Sequence, residues 1–363
     1  MNAKPEHTSP AEWPESARLH PRTEADLPVG RHQFHKEQLM ARIQQERQQT
    51  TTAPPRTSKP RRVILVSAMA FALAGAVVAG VTGYGGGSGG GGGEYATGPL
   101  LTTHVEAGTA KGAPQLLDRI SLAAGDGEHR ATLGPGQYVY IESTDASTYV
   151  RTDSDTDTST LVSEKPHRRQ MWLSADGTKG WLIDPSVNDS PEGETLSLPD
   201  ERGNAPVASL NGPSYDYLTG LTTDPDKLLA KIYRETKGMG NTPDQQAFDT
   251  IGDLLSQSYP PAPLYSALFR TAAKIPGVVV VKDAEDAAGR KGVAVARLDE
   301  TSGQRSEWIF NRKTSVFLGM RTVQVKGNGG DEGLIKPGTV TYTSAILTRA
   351  IVDGMKQTPT KTG

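Results

Sequence analysis

The most apolar stretch of the chain runs over residues 63–84 and holds 22 consecutive residues without a charge. As an α-helix, a stretch of this length would reach roughly 33 Å, enough to cross the bilayer's hydrocarbon core of about 30 Å. Only Ser67, Thr82 and the last residue, Tyr84, carry a polar side chain. A helix here would therefore lack the polar, solvent-exposed face of a helix in a soluble protein. The pattern predicts a single transmembrane helix over residues 63–84.

Basic residues flank this stretch on its N-terminal side only. Four Lys and Arg residues lie within 56–62, and the next basic residue is Lys111. Because positive charge beside a span stays in the cytoplasm, we expect a cell-membrane protein with a cytoplasmic N-terminus and an extracytoplasmic C-terminal domain. The pair Arg61-Arg62 before an alanine-rich stretch leaves a second interpretation open, a cleaved twin-arginine export signal.

The regions around the predicted span have few apolar residues. Residues 1–62 are predicted to be a mostly disordered cytoplasmic tail with one short amphipathic helix over 34–47. The nine residues 85–93 are glycine except for Ser88. Glycine has no side chain to pack, so residues 85–99 are predicted to form a flexible tether. Residues 356–363 are predicted to be a disordered tail.

Residues 100–355 show the periodicities of a folded domain. Apolar residues at helical spacing predict helices at 113–124, 225–235, 244–256 and 263–274. Asp176-Gly177 stands between two runs of β-formers and predicts a tight hairpin. Strand-like runs, joined by links too short for a crossover helix, lie at 278–282, 293–298, 306–311 and 320–325. The predicted fold class is α+β: a curved antiparallel sheet with helices on one face, preceded by the transmembrane helix and the disordered tail.

Composition narrows the range of functions. The chain of 363 residues contains no cysteine, which excludes disulfides, thiolate metal sites and a thiol nucleophile. The formal net charge of −2 combines a basic segment 1–62 with an acidic remainder. This asymmetry agrees with a basic cytoplasmic tail and gives no indication of a nucleic-acid-binding surface.

Motifs that carry known chemistry are not found. Residues 153–164 place acids at positions 1, 3, 5 and 12 of a calcium loop, but Thr158 stands where the loop needs glycine. His32 and His35 lie three residues apart without a third metal ligand nearby. P-loop, dinucleotide, nucleophile-elbow and zinc-protease motifs are absent. We therefore predict no catalytic, metal or cofactor site and expect that the protein is not an enzyme.

A resemblance rests on one C-terminal stretch and two shorter ones. The first stretch reads ALFRTAAKIPGVVVVKD, an acidic turn that closes on Gly289-Arg290, two more strands, and T-x-x-x-LG before a fourth. With LPVGRHQFHKEQLM and TTDPDKLLAKIY, it resembles an uncharacterised family of actinobacterial single-pass membrane proteins, often encoded beside extracytoplasmic-function sigma factors. The match covers most of residues 27–47 and 100–352. The outer domain also looks like the half-barrel of periplasmic lipoprotein carriers and of a lipid-sensing sigma regulator.

Two functional hypotheses follow. The resemblance implies a membrane-anchored sensing or regulatory protein whose cytoplasmic segment contacts a sigma factor or another protein. The alternative is an anchored binding module that holds a lipid or other apolar ligand between the sheet and the helices over 224–275. The resembled family has no established activity, so neither hypothesis comes with a reaction.

Overall fold

The structure of the chain is a computed structural model. It describes residues 63–66, 97–126, 131–153, 156, 158–187, 191–196, 207–240, 242–327 and 333–359. The chain divides into two compact units, Met1–Pro54 and Pro55–Gly363, and every described residue belongs to the second. The predicted tail 1–62 with its helix 34–47 and the glycine block lie outside the described residues, as does most of the predicted span.

Antiparallel strands dominate the described part of the chain, with few helices. The strands are β1 (Val63–Val66), β2 (Thr97–Gly98), β3 (Tyr138–Asp153), β4 (Thr158–Glu164), β5 (His167–Ser174), β6 (Gly180–Ile183), β7 (Glu194–Thr195), β8 (Val278–Glu285), β9 (Lys291–Asp299), β10 (Gln304–Phe310), β11 (Phe317–Gln324) and β12 (Val340–Val352). The helices are α1 (Ala113–Asp126), α2 (Tyr215–Thr219), α3 (Pro225–Glu235), α4 (Pro243–Gln257) and α5 (Ala262–Ala272).

The main sheet has the strand order β7-β6-β5-β3-β12-β11-β10-β9-β8. The four strands β8 to β11 are consecutive antiparallel neighbours, which confirms the pairing predicted from their short links. The hairpin predicted at Asp176-Gly177 is confirmed: it joins β5 to β6, and these strands extend the same sheet. Gly177 has a φ of 75°, which a glycine adopts without strain.

Strand β3 is long enough to serve two pairings. Its first part, from Tyr138, lies between β5 and β12 in the main sheet. Its last part, up to Asp153, pairs with β4 on one edge and with β1 on the other. The two strands β3 and β4 therefore form a hairpin arm that continues beyond the main sheet.

The helices pack on one face of the sheet, here called the helix face. Their apolar residues form one large core with side chains of the central strands, among them Trp308, Phe310 and Met320. Phe248 of α4 stacks on Trp308 with ring centroids 3.9 Å apart and planes at 6°. α3 and α4 begin as their sequences predict: the side chains of Asp224 and Thr242 cap the first turn, and proline follows.

The opposite face, here called the back face, carries a buried charge triad. Glu307 is fully buried and lies 2.7 Å from Arg305 and 2.8 Å from Arg321. The segment before α1 crosses this face, because Thr102 bridges to Thr339 and Thr109 bridges to Val280. The triad and the crossing segment therefore lie together on the back face of the central strands.

The membrane helix predicted over 63–84 is wrong at its start. Val63–Val66 forms β1, which pairs antiparallel with Val150–Asp153 of β3. No helix in the described ranges is long and apolar enough to cross a membrane. The predicted fold class with its preceding transmembrane helix, and the predicted single-pass location in the cell membrane, are therefore not supported. The reason at 63–66 is that three of its four residues are β-branched and meet an open strand edge.

Candidate functional site

A row of polar side chains crosses the helix face. Residues directly opposite each other in antiparallel strands point to the same face, so the register identifies the row. Ser306 shares the helix face with Trp308, two positions along β10. Ser306 lies opposite Arg297 of β9 and Thr322 of β11, and Thr322 in turn lies opposite Tyr342 of β12.

The row continues beyond β12 to the far side of the sheet. Ser344 lies opposite Asp145 of β3, and Asp145 lies opposite His167 of β5. Asp184 directly follows β6, and its carboxylate oxygens lie 3.2 Å from His167 Nε2 and 3.2 Å from Arg169 Nε. We call this row the polar belt; it comprises Arg297, Ser306, Thr322, Tyr342, Ser344, Ser143, Asp145, His167, Arg169 and Asp184.

Helix α4 adds two carboxylates against the belt. Asp249 Oδ1 accepts hydrogen bonds from Ser306 Oγ at 2.8 Å and from Gln245 Nε2 at 2.9 Å. Asp253 follows one helical turn later, on the same side of α4. It lies close enough to Asp249 and to the hydroxyl of Tyr342 for their charges to interact. Both carboxylates belong to half-buried residues, so they lie at the rim of the belt.

Three contacts fix α4 in this position. In its first turn, Gln245 Oε1 accepts a hydrogen bond of 2.7 Å from Arg297 Nη1. In its middle, Gly252 allows close approach to the sheet, since a Cβ there would lie 2.5 Å from Trp308 Nε1. In its last turn, Arg349 Nη2 donates to a backbone carbonyl at 2.5 Å. A cation at this end also complements the helix dipole.

One acid of the belt is neutralised within the belt. Burial opposes the ionisation of Asp184, but the hydrogen bond of His167 and the charge of Arg169 outweigh it and hold its pKa below the usual range. Burial likewise opposes the charged form of His167, and the hydrogen bond and charge of Asp184 outweigh it, so the pKa of His167 is raised. These three side chains form one ionic group, and the charges of Glu164 and Asp145 also help to raise the pKa of His167.

The other acids at the belt are not neutralised in this way. Burial raises the pKa of Asp249 to about 6, although the hydrogen bonds from Ser306 and Gln245 act against this rise. Burial, and then the charge of Asp249, raise the pKa of Asp253 well above its usual value. Burial also raises the pKa of Glu164, at the end of β4. None of the ion pairs between described residues includes Asp249 or Asp253.

Two buried polar atoms near these carboxylates have no hydrogen-bond partner among the described residues. One is Thr322 Oγ1, in a side chain that is 1% exposed, and the other is Trp308 Nε1, in a fully buried indole. An unpaired buried polar group costs about 1–3 kcal/mol, so such groups usually bond to water or to a ligand. The belt therefore combines two carboxylates outside any ion pair between described residues with two buried, unpaired polar atoms beneath them.

The sequence did not predict this site. Its residues come from β3, β5, β9 to β12 and α4, and only the strand register brings them together. The one local signal for this site was the pair Asp249 and Asp253, two acids four residues apart beside the apolar face of a predicted helix. Of the motifs tested on sequence, residues 153–164 fall in the β3–β4 hairpin, and His32 and His35 lie outside the described residues. Within the described ranges, no group of three His, Asp or Glu residues is placed to hold a metal.

One small apolar cavity lies on the helix face. A cavity of about 10 Å³ is lined by Val139, Tyr215, Leu218, Tyr259 and neighbouring residues. This volume admits about one water-sized probe. A groove of about 350 Å³ lies elsewhere, beside β2 and β4. The lipid-binding hypothesis gains no support from these volumes and stays a prediction.

Comparison with known proteins adds little. No family model and no curated protein matches the chain. A solved complex, Pseudomonas aeruginosa MucA/MucB, is similar over 69% of this chain, with 12% identity and a TM-score of 0.22. The likeness spans 59% of that chain, less than two thirds of its length. It fits the regulatory resemblance only loosely, and at this TM-score it carries no argument about fold or function.

Proposed function

We propose that this chain is a regulatory binding protein, not an enzyme, and that the polar belt receives a cationic side chain of a protein partner. Asp249 and Asp253 would hold a Lys or Arg from that partner. The observation that carries the proposal is a pair of half-buried carboxylates that form no ion pair with any described residue, beside buried polar atoms that lack partners there. A guanidinium or ammonium group from the partner would supply the missing positive charge beside the two carboxylates.

The energetics favour a cation. Burial holds the pKa of Asp249 about two units above its ordinary value of 3.8. A cation next to a carboxylate stabilises the ionised form and lowers its pKa, and one pKa unit corresponds to about 1.4 kcal/mol. Restoring the ordinary pKa would therefore contribute about 3 kcal/mol to binding at most. Because protonated Asp249 offers no charge, binding should weaken as the pH falls through 6.

The hydrogen bonding of the belt argues against hydrolytic chemistry. A serine nucleophile needs a histidine whose ring nitrogen accepts its proton. His167 Nδ1 lies 3.3 Å from the carbonyl of Lys165, and its Nε2 lies 3.2 Å from Asp184. Ser306 and Ser143 instead donate to the carboxylates of Asp249 and Asp145. The imidazole thus faces a carbonyl and a carboxylate, and the two belt serines donate to carboxylates and not to the imidazole.

We further propose that the regulated partner is a sigma factor, as the family resemblance implies. The support is the resemblance itself and the basic segment 1–62, which lies outside the described residues. Co-purification of the full chain with a sigma factor would support this part. If the full chain recovers no sigma factor while it still binds cationic peptides through the belt, the sigma link is wrong and the binding function stands.

A calorimetric titration tests the belt. The full chain is titrated with a capped tetra-arginine peptide at pH 5, 6 and 7.5, in wild-type form and as two double variants. Asp249→Asn with Asp253→Asn removes two charges at the belt. Asp118→Asn with Asp226→Asn removes two charges from exposed positions on α1 and α3 and is the matched control.

We expect the belt variant to bind the peptide at least tenfold more weakly than the control at pH 7.5, since two desolvated carboxylates are lost. We also expect wild-type affinity to fall about tenfold between pH 7.5 and pH 5, as Asp249 takes up a proton. Equal losses in both double variants would show that the peptide senses only the net charge. Affinity that does not change with pH would contradict the role of Asp249.

A further inference from the structure

Within the described ranges, the outer edge of β4 has no partner strand over most of its length. On its inner edge, β4 pairs with β3 from Thr158 to Ser163. On its outer edge, β2 pairs only with Ser163 and Glu164. Among the residues that the structure describes, no strand pairs with the outer edge of β4 from Thr158 to Val162. The N–H and C=O groups that point to this edge therefore have no strand partner among the described residues.

This edge lacks the usual protection against such pairing. Natural edge strands carry lysine, proline or a bulge that discourages a second strand. The open stretch of β4 reads Thr-Ser-Thr-Leu-Val and contains no charge and no proline. Its register with β3 is continuous from Thr148↔Ser163 to Asp153↔Thr158, without a bulge. Threonine, leucine and valine also favour the extended conformation. The edge is thus built to accept a strand.

A groove beside the open edge supplies a site for side chains. It has a volume of about 350 Å³ and is lined by Leu100, Arg151, Thr160, Val162 and neighbouring residues of β2 and β4. Leu100 is 47% exposed, an unusual fraction for a large apolar residue in this fold. Arg151 is exposed and forms no ion pair with any described residue. Its register partner is Thr160, in the middle of the open stretch.

We propose that the open edge of β4 binds an extended segment of a protein partner as an added antiparallel strand, with an acidic side chain against Arg151. Main-chain hydrogen bonds to Thr158–Val162 would supply affinity, and the groove would supply specificity. In an extended segment, alternate side chains point to one face. The acidic residue is therefore flanked at two-residue spacing by apolar residues, one of which contacts Leu100. This site uses none of the belt residues and does not depend on the proposed belt function.

Two capped peptides test the proposal: Ac-TVTETVT-NH2, and its twin Ac-TVTQTVT-NH2, in which glutamine replaces the glutamate. Fluorescence anisotropy measures their binding to the full chain in wild-type form and as Arg151→Gln. Arg119→Gln removes an exposed arginine from α1 and serves as the matched control. We expect the glutamate peptide to bind Arg151→Gln about three- to tenfold more weakly than wild type or the control. The glutamine peptide should bind all three proteins alike.

Amide hydrogen exchange locates the bound peptide. The proposal requires slower exchange, when the glutamate peptide is present, at those amides of Thr158–Val162 that point away from β3. Failure of both peptides to bind at millimolar concentration overturns the proposal, as does binding that leaves these amides unchanged. A third outcome also overturns it: if the chain dimerises, and Thr160→Lys makes it monomeric and exposes these amides, the occupant of the edge is a second copy. Loss of peptide binding in Arg151→Gln leaves the belt titration unaffected, so the two proposals are tested separately.

Discussion

Replacing Asp249 with asparagine should stabilise the fold, and by an amount that depends on pH. Asparagine keeps the shape of the side chain, and its Oδ1 still accepts from Ser306 and Gln245. What it removes is a carboxylate whose pKa burial raises from 3.8 to about 6. Because the folded pKa is the higher one, the folded state binds more protons than the unfolded state between these values. The aspartate therefore weakens the fold progressively as the pH rises through 6.

The size of the effect follows from the shift. A rise of about two units corresponds to a penalty of about 3 kcal/mol above pH 6 and about 1 kcal/mol at pH 4.5. These values are ceilings, because Asp249 is only half-buried and solvent screens part of its charge. We expect Asp249→Asn to raise the free energy of unfolding by about 1–3 kcal/mol at pH 7.5, and by clearly less at pH 4.5.

Urea denaturation of the full chain, followed by circular dichroism at pH 4.5, 6 and 7.5, measures this difference. Asp118→Asn is the control, since it changes an exposed aspartate on α1 and should alter stability by less than about 0.5 kcal/mol at each pH. A variant at 249 that loses stability equally at pH 4.5 and 7.5 would refute the reasoning. In that case the carboxylate would be an ordinary hydrogen-bond acceptor whose ionisation is not opposed by burial.

Three further predictions concern the packing around the site. Gly252→Ala should lower the free energy of unfolding in urea by about 1–3 kcal/mol, because the new Cβ would meet the indole of Trp308. Gly125→Ala, where a Cβ has open space, is the control and should be neutral or mildly stabilising. Glu307→Gln should cost about 3–5 kcal/mol in the same assay, because it leaves two buried arginines without their anion; a cost below 1 kcal/mol would contradict this. Asp184→Asn should lower the pKa of His167 in an NMR titration, because Asp184 is what raises it; an unchanged pKa would show that other groups dominate.

The parts of the fold that could be predicted depend on local signals. The order β8 to β11 followed from short links, and α3 and α4 followed from a capping residue, a proline and an apolar face at helical spacing. The hairpin at Asp176-Gly177 followed from one dipeptide that tolerates positive φ. Each of these signals lies within about fifteen residues of chain, where propensity and turn chemistry decide the structure.

The placement of β12 and the polar belt could not be predicted in this way. Pairing of Ser344 with Asp145 joins residues 199 positions apart, and no local pattern specifies which distant strand is the neighbour. The prediction of a membrane helix over 63–84 was wrong for a related reason. Hydropathy and length predict such a helix, whereas the pairing of Val63–Val66 with β3 is a long-range contact. In both cases, tertiary contacts decide the structure and the sequence pattern alone does not reveal them.

The most direct test of the account is the pKa of Asp249, measured in the full chain by NMR of its side-chain carboxyl carbon with aspartate-specific ¹³C labelling. Asp249→Asn identifies the signal by its disappearance. The account predicts a pKa near 6 in the free protein, since burial outweighs the hydrogen bonds and the charge of Arg297 that act against it, and a clear decrease when saturating tetra-arginine peptide is added. A pKa near 4 in the free protein, or a pKa of 6 that the peptide does not change, would contradict a cation-binding belt.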